Sequence, residues 1–203
     1  MKELFGKIKR KVGESFLDLA EVFVMAFSIF FVLQIAILQP HKVDGDSMVP
    51  SFIDKEFLLT DKITYRFKEP MRGDVVVFHA PEEAPCDDEE GCDYIKRIIG
   101  MPGDTVEIKE GYVYVNQKKL DESYLPDSYR TLPGRFTRKG PVVLHDDEFM
   151  VMGDNRGRSS DSREWGPIPS RAIVGRTFLK YLPISKFGVI DRILYDESKP
   201  SNN

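Results

Sequence analysis

One long apolar run stands out in a chain of otherwise mixed character. Residues Val22 to Leu38 are apolar except for Ser28 and Gln34, and a helix that crosses a bilayer needs about 17 to 25 such residues. Lys2, Lys7, Lys9, Arg10 and Lys11 precede it, and basic residues beside a first span tend to stay on the cytoplasmic side. The pattern predicts a basic cytoplasmic N-terminus over 1–18, one transmembrane helix over 19–39, and the rest of the chain outside. A cleavable leader also starts basic and turns apolar. The run exceeds the roughly 7 to 15 residues of a leader's core, however, and Gln39-Pro40-His41-Lys42-Val43-Asp44 offers no small-x-small cleavage site. Hydrophobicity on all sides of the helix favours lipid over a buried core position.

Past the run the period shortens. Glu56 to Thr60, Asp74 to Phe78, Asp93 to Ile99, Thr105 to Ile108, Tyr112 to Asn116, Glu148 to Met152 and Ile173 to Tyr181 are short stretches rich in β-branched and aromatic residues. Arg72-Gly73-Asp74, Met101-Pro102-Gly103-Asp104, Glu110-Gly111 and Gly166-Pro167 punctuate them as turns. No long helical period follows the anchor. These elements predict a mainly β domain over 40–196, a partly closed, barrel-like antiparallel sheet. Asp121 to Gly140 is polar, basic and broken by Pro126, Pro133 and Gly134, and reads as an insertion or long loop. Residues 197–203 are polar and read as a disordered tail.

Composition narrows the function. A net charge of -4 with both signs interleaved marks no nucleic-acid surface. Cys86 and Cys92 bracket the acidic stretch Asp87-Asp88-Glu89-Glu90-Gly91, and on the outer face of a membrane a disulfide between them is the favoured reading. Zinc is the alternative, but only His79 is near enough in sequence to add a ligand. No metal or organic cofactor is indicated.

Two residues carry candidate chemistry. Ser47 lies in Gly45-Asp46-Ser47-Met48-Val49-Pro50 just past the apolar run, and a serine needs a base to become nucleophilic at neutral pH. His41, His79 and His145 sit in no recognisable motif, and Val49 rules out a G-x-S-x-G elbow at Ser47. Lys96 is the better base. On a strand over 94–99 it shares a face with Tyr94 and Ile98, while Ile95, Arg97 and Ile99 share the other. Apolar neighbours disfavour its charged form, which lets a lysine act as a base near neutrality. Taken singly, Lys96 also reads as an edge-strand charge against aggregation, and Ser47 as part of a turn before Pro50.

Four motifs in order change the balance: Gly45-Asp46-Ser47-Met48-x-Pro50, Arg72-Gly73-Asp74-Val75-Val76, Tyr94-Ile95-Lys96-Arg97-Ile98-Ile99-Gly100-x-Pro102-Gly103-Asp104, and Gly153-Asp154-Asn155-Arg156-x-x-Ser159-x-Asp161-Ser162-Arg163-x-x-Gly166. Together they resemble the bacterial type I signal peptidases, in the branch that carries lysine rather than histidine at the base position. The resemblance implies Ser47 as nucleophile, Lys96 as general base, Ser159 as the hydroxyl that orients the lysine, and Asp161 with Arg163 as a supporting pair. It implies a membrane-anchored serine endopeptidase that removes signal peptides from exported preproteins, cutting after small residues through an acyl-enzyme. Preproteins from the secretion translocon and membrane lipid are then its partners. Some members carry a second serine where this chain has Gly45, so the oxyanion is left to the backbone N–H of Ser47 and a second donor not assigned by sequence. Met48 is a candidate for shaping a small subsite, or else fills the core. Gly153, like Gly73 and Gly103, reads as turn chemistry. Another Ser/Lys peptidase on the same fold and a silent peptide-binding module are the alternatives.

Overall fold

The computed structural model describes residues 17–32, 37–86, 91–193 and 195. The chain divides into two units, Met1–Leu38 and Gln39–Asn203. In the first, residues 17–32 form helix α1. Phe23, Phe27 and Phe31 stack along it at four-residue spacing, and its apolar side chains are exposed on every side. Among the described residues no helix is long and apolar enough to cross a membrane. Of the expected span over 19–39, residues 33–36 lie outside the described residues, and Leu38 and Gln39 belong to a strand. The basic segment 1–16 and the tail 197–203 also lie outside them.

The second unit is mainly β. The seven strands expected from sequence occur as β2 (Phe57–Asp61), β3 (Val75–His79), β4 (Asp93–Gly100), β5 (Thr105–Lys109), β6 (Tyr112–Val115), β9 (Glu148–Met152) and β11 (Ile173–Leu182). Five further strands lack an apolar alternation long enough to show in sequence: β1 (Leu38–Lys42), β7 (Lys118–Lys119), β8 (Val142–Val143), β10 (Ile168–Pro169) and β12 (Gly188–Val189). The single-turn helix α2 (Ser162–Trp165) falls between β9 and β10.

The larger sheet runs β1-β2-β11-β3-β4-β9-β10, with β12 added to β11, and the smaller runs β7-β6-β5-β8. The domain is mainly β and antiparallel, as the strand pattern predicted, and neither sheet closes into a barrel. The end strands of the larger sheet explain this, because β1 contains Pro40 and β10 ends in Pro169. Proline has no N–H to give a neighbouring strand and is confined to sheet edges.

Strand β4 is the spine of the unit, because the pleat divides its side chains between two cores. Ile98 joins Val76, Phe78, Phe149, Val151 and Trp165. Ile99 joins Met150, Met152 and the apolar face of the smaller sheet, including Val106 and Val113. A third core, Val43, Met48, Phe52, Leu58 and Val75, lies under the turn that carries Ser47. Strand β4 pairs with β3 from Asp93 to Arg97 but with β9 only from Arg97 to Gly100. Its first four residues therefore have a strand on one side only.

Polar groups tie the layers together. Arg72 pairs with Asp104 at 2.9 Å and donates to Ile99 O. Asp74 is buried between Arg176, Arg192 and the Tyr65 hydroxyl. Glu56 is buried against Lys180 and Lys186; burial pushes its carboxyl up, but Lys180, the Ile53 N–H and Lys186 together hold it below the ordinary value.

Strands β2 and β11 meet at Gly175, where a Cβ would lie 2.2 Å from the backbone oxygen of Asp61. Gly175→Ala is expected to lower stability by about 1 to 3 kcal/mol, the cost of overpacking a tight interior. Urea denaturation read by far-UV circular dichroism measures it.

Candidate active site

The serine turn is held from both sides. Gly45 adopts φ 81°, a left-handed conformation that glycine takes without strain, and its N–H donates to Asp54 Oδ1 at 3.0 Å. On the far side of Ser47, Phe52 N–H donates to Met48 O at 2.9 Å. Met48 is only 1% exposed and packs with Val43, Phe52 and Leu58. Its side chain anchors the turn in the core rather than lining an open pocket.

Lys96 enters from β4, on the face it shares with Tyr94 and Ile98. Its Nζ lies 2.9 Å from Ser47 Oγ and donates to Ile95 O at 3.0 Å. The Tyr94 ring centroid is 5.0 Å away, and the Tyr94 hydroxyl donates to Pro85 O. The lysine is 4% exposed. Burial lowers its amine from 10.5 to about 8, against the opposing pull of the Asp161 and Asp154 carboxylates. An amine in this range is neutral often enough at physiological pH to accept a proton.

Both carboxylates are held by arginines. Arg97, next to the lysine but on the opposite face of β4, grips Asp154 through Nε at 2.9 Å and Nη2 at 2.6 Å. Arg163 grips Asp161 the same way at 2.8 Å each, and Asp161 also caps α2 by accepting from Arg163 N–H. The second Asp161 oxygen accepts from Gly153 N–H at 3.0 Å. Gly153 is required for close approach rather than for a turn: a Cβ there would lie 2.2 Å from Ser159 Oγ and 2.5 Å from Ser47 O. Ser159 Oγ is thus packed beside the serine turn, buried and without a hydrogen-bond partner among the described residues. It makes no hydrogen bond to Lys96 here.

The segment 121–140 folds over the 153–163 loop. Arg156 donates to Gly153 O, Thr131 Oγ1, the Tyr124 hydroxyl and Glu122. The Tyr124 ring lies 4.5 Å from the Arg97 guanidinium, and Phe136 N–H donates to Arg163 O. Sequence reading overlooked Arg97, Asp154 and Arg156. The available signal was Arg97 itself, a charge alternating with isoleucines on a face that must be buried, where an ion needs a partner.

The remaining candidates lie elsewhere. A disulfide joins Cys86 and Cys92, with Cα atoms 5.8 Å apart. His41 contacts Thr60 and Asp93, and His79 contacts Asp93. No three or more His, Cys, Asp or Glu side chains among the described residues are grouped to hold a metal ion.

A serine hydroxyl against a buried lysine amine, on open antiparallel sheets, belongs to a serine endopeptidase, a hydrolase of peptide bonds. The chain belongs to the signal peptidase family, peptidase S26, whose model matches residues 16–182. It is 34% identical to a probable signal peptidase I-2 of Synechocystis sp., covering 94% of this chain and 84% of that protein. It is 34% identical to signal peptidase I P of Bacillus subtilis subsp. natto, covering 90% and 97%, and 34% identical to signal peptidase IB of Staphylococcus aureus strain COL, covering 89% and 94%. Membership supports removal of signal peptides from preproteins as the activity.

Two outcomes follow from the buried charges. Lys96→Met should be more stable than the parent below pH 8, by up to about 3 kcal/mol for the shift from 10.5 to about 8. The sign follows from a folded value below the unfolded one: the penalty is fully present below pH 8, fades as pH rises from there, and is gone above 10.5. Urea titrations at pH 7 and 10.5 check it. Arg97→Met should cost about 3 to 5 kcal/mol by leaving Asp154 buried and unpaired, and Arg97→Met with Asp154→Leu should recover most of the loss.

Proposed function

We propose that this chain is a membrane-anchored signal peptidase in which Ser47 is the nucleophile and Lys96 the general base. The observation that carries this reading is the 2.9 Å separation of Lys96 Nζ from Ser47 Oγ inside a buried site. Neutral Lys96 takes the Oγ proton as Oγ bonds to the scissile carbonyl carbon, and the carbonyl oxygen becomes the oxyanion. When the C–N bond breaks, the Lys96 ammonium returns its proton to the leaving amine. Lys96 then takes a proton from water, whose oxygen attacks the acyl ester, and the proton passes to Oγ as the ester bond breaks. Asp161 with Arg163 braces the loop behind the lysine; the role of Ser159 in orienting the amine rests on the family resemblance, since its Oγ packs beside the serine turn without bonding Lys96 here.

The half-paired start of β4 suits the substrate. An extended peptide can add as a strand beside Asp93–Lys96, where β9 does not reach, and this would bring its carbonyl to Ser47. Cleavage after small, A-x-A-like residues rests on the family resemblance.

Membrane anchoring is supported by the apolar surface of α1 and by the basic residues before it in sequence. An apolar patch on the second unit points the same way. Ile184 is 81% exposed, and Phe187, Val189 and Ile53 are also exposed, with Ile53, Leu182, Pro183 and Lys186 lining one groove. Phe67 is likewise exposed, whereas Phe52 is buried and Tyr65 is turned inward onto Asp74. Preproteins held in the same bilayer, delivered by the secretion translocon, would meet the enzyme at raised effective concentration.

Preprotein cleavage by detergent-solubilised parent, Ser47→Ala and Lys96→Ala tests the chemistry, with product termini read by mass spectrometry. Both variants should lose the cut by at least about a thousandfold. Parental kcat/KM should rise with pH through about 8 as the amine loses its proton. Full activity in either variant would move the chemistry to another residue.

A further inference from the structure

The oxyanion needs a donor that does not move during the reaction, and what holds it is visible. The donor on the nucleophile is the N–H of the Asp46–Ser47 peptide, which meets no protein acceptor among the described residues. That peptide is trans, so its C=O points opposite to its N–H. Whatever fixes Asp46 O therefore aims the N–H of Ser47. Asp46 O accepts from Val49 N–H at 3.2 Å, within the turn itself. It also accepts from Asn155 Nδ2 at 3.0 Å, across 109 residues of sequence.

Asn155 reaches the next peptide as well, since its own N–H donates to Ser47 O at 3.0 Å. The side-chain amide can sit only one way round, because the reverse would set Oδ1 against the Asp46 carbonyl oxygen, two acceptors facing each other. Asn155 is itself held. Asp154 before it is clamped by Arg97, and Arg156 after it is clamped by Gly153 O, Thr131, Tyr124 and Glu122. The serine turn is held at its ends, by Asp54 on Gly45 and by Met48 in the core, but at the Asp46–Ser47 peptide itself the one other donor among the described residues is Val49 N–H. Gly45 adds backbone freedom on its N-terminal side, and Arg158 to Asp46 is a largely exposed ion pair.

We infer that Asn155 is a positioning residue that locks the Asp46–Ser47 peptide so that its N–H is aimed at the oxyanion before substrate arrives. The inference rests on Ser47 being the nucleophile. Donation into Asp46 O also polarises that peptide, making its N–H a stronger donor. Asn155 thereby acts on the oxygen of the reacting carbonyl, whereas Lys96 acts on the proton of Ser47.

The two roles separate experimentally in the full chain, solubilised in detergent. Asn155→Ala deletes the side-chain donor. Asn155→Asp keeps shape and backbone N–H but turns the donor into an acceptor. Losing an oxyanion donor outright costs about 10² to 10³ in kcat; misaiming it in either variant should cost about 10- to 100-fold, with KM within about twofold. In Asn155→Ala, which adds no charge, the pH midpoint near 8 and the melting temperature should stay at parental values. A peptide aldehyde of substrate sequence adds reversibly through Ser47 Oγ to give a tetrahedral adduct whose oxygen occupies the oxyanion position. Its affinity should fall with kcat, while the corresponding amide peptide binds as to the parent.

Parental kcat in both variants would overturn the inference. So would equal weakening of aldehyde and amide peptides, a pH midpoint shifted in Asn155→Ala, or a fall in melting temperature that accounts for the lost rate. The nucleophile assignment is read separately: a covalent aldehyde adduct, seen by mass on the parent and absent from Ser47→Ala, supports it whatever Asn155 does. Cleavage surviving in Ser47→Ala would remove it.

Discussion

A lysine is a base near neutrality only if water is kept from its ammonium, and the second unit is organised around that exclusion. Strand alternation on β4 sets Lys96 between Tyr94 and Ile98 with Ser47 closing over its end. The two nearest carboxylates, Asp154 and Asp161, would undo the effect by favouring the charged amine. Each is instead spent on a bidentate arginine, Arg97 and Arg163, so that much of its field is cancelled close to its source. Buried ion pairs contribute little net stability; here they let two acids stay beside a base without recharging it.

The parts of this arrangement that come from local pattern were legible in the sequence. Seven strands showed as β-branched and aromatic runs between glycine and proline turns, and the alternation around Lys96 put it on an apolar face. What escaped reading depends on contacts between distant segments. Arg97 finds Asp154 across 57 residues, and Arg156 finds Thr131 across 25. Gly153 resembled a turn glycine because sequence cannot show that Ser159 Oγ and Ser47 O lie where its side chain would be. Barrel closure was suggested by strand count, whereas the edges are set by Pro40 and Pro169. Met48 had two readings in sequence, and only packing distinguishes them.

The 121–140 segment looked like an insertion because its composition is polar and irregular. In the fold it is a strap from which Glu122, Tyr124 and Thr131 turn inward toward Arg156. A loop rich in hydrogen-bonding side chains can be the ordered half of a buried network when the other half, here an arginine, arrives from a separate motif.

The half-paired start of β4 has a further consequence. An unpaired strand edge offers itself to any extended chain, including the same edge of a second copy. A fold that leaves such an edge open must discourage permanent pairing there. Asp93 begins the open segment, and just before it the two cysteines tether a stretch that in sequence reads Asp87-Asp88-Glu89-Glu90. Asp93, exposed at the start of that edge, sets a charge there, and a charge on an open edge strand works against lasting pairing with another copy.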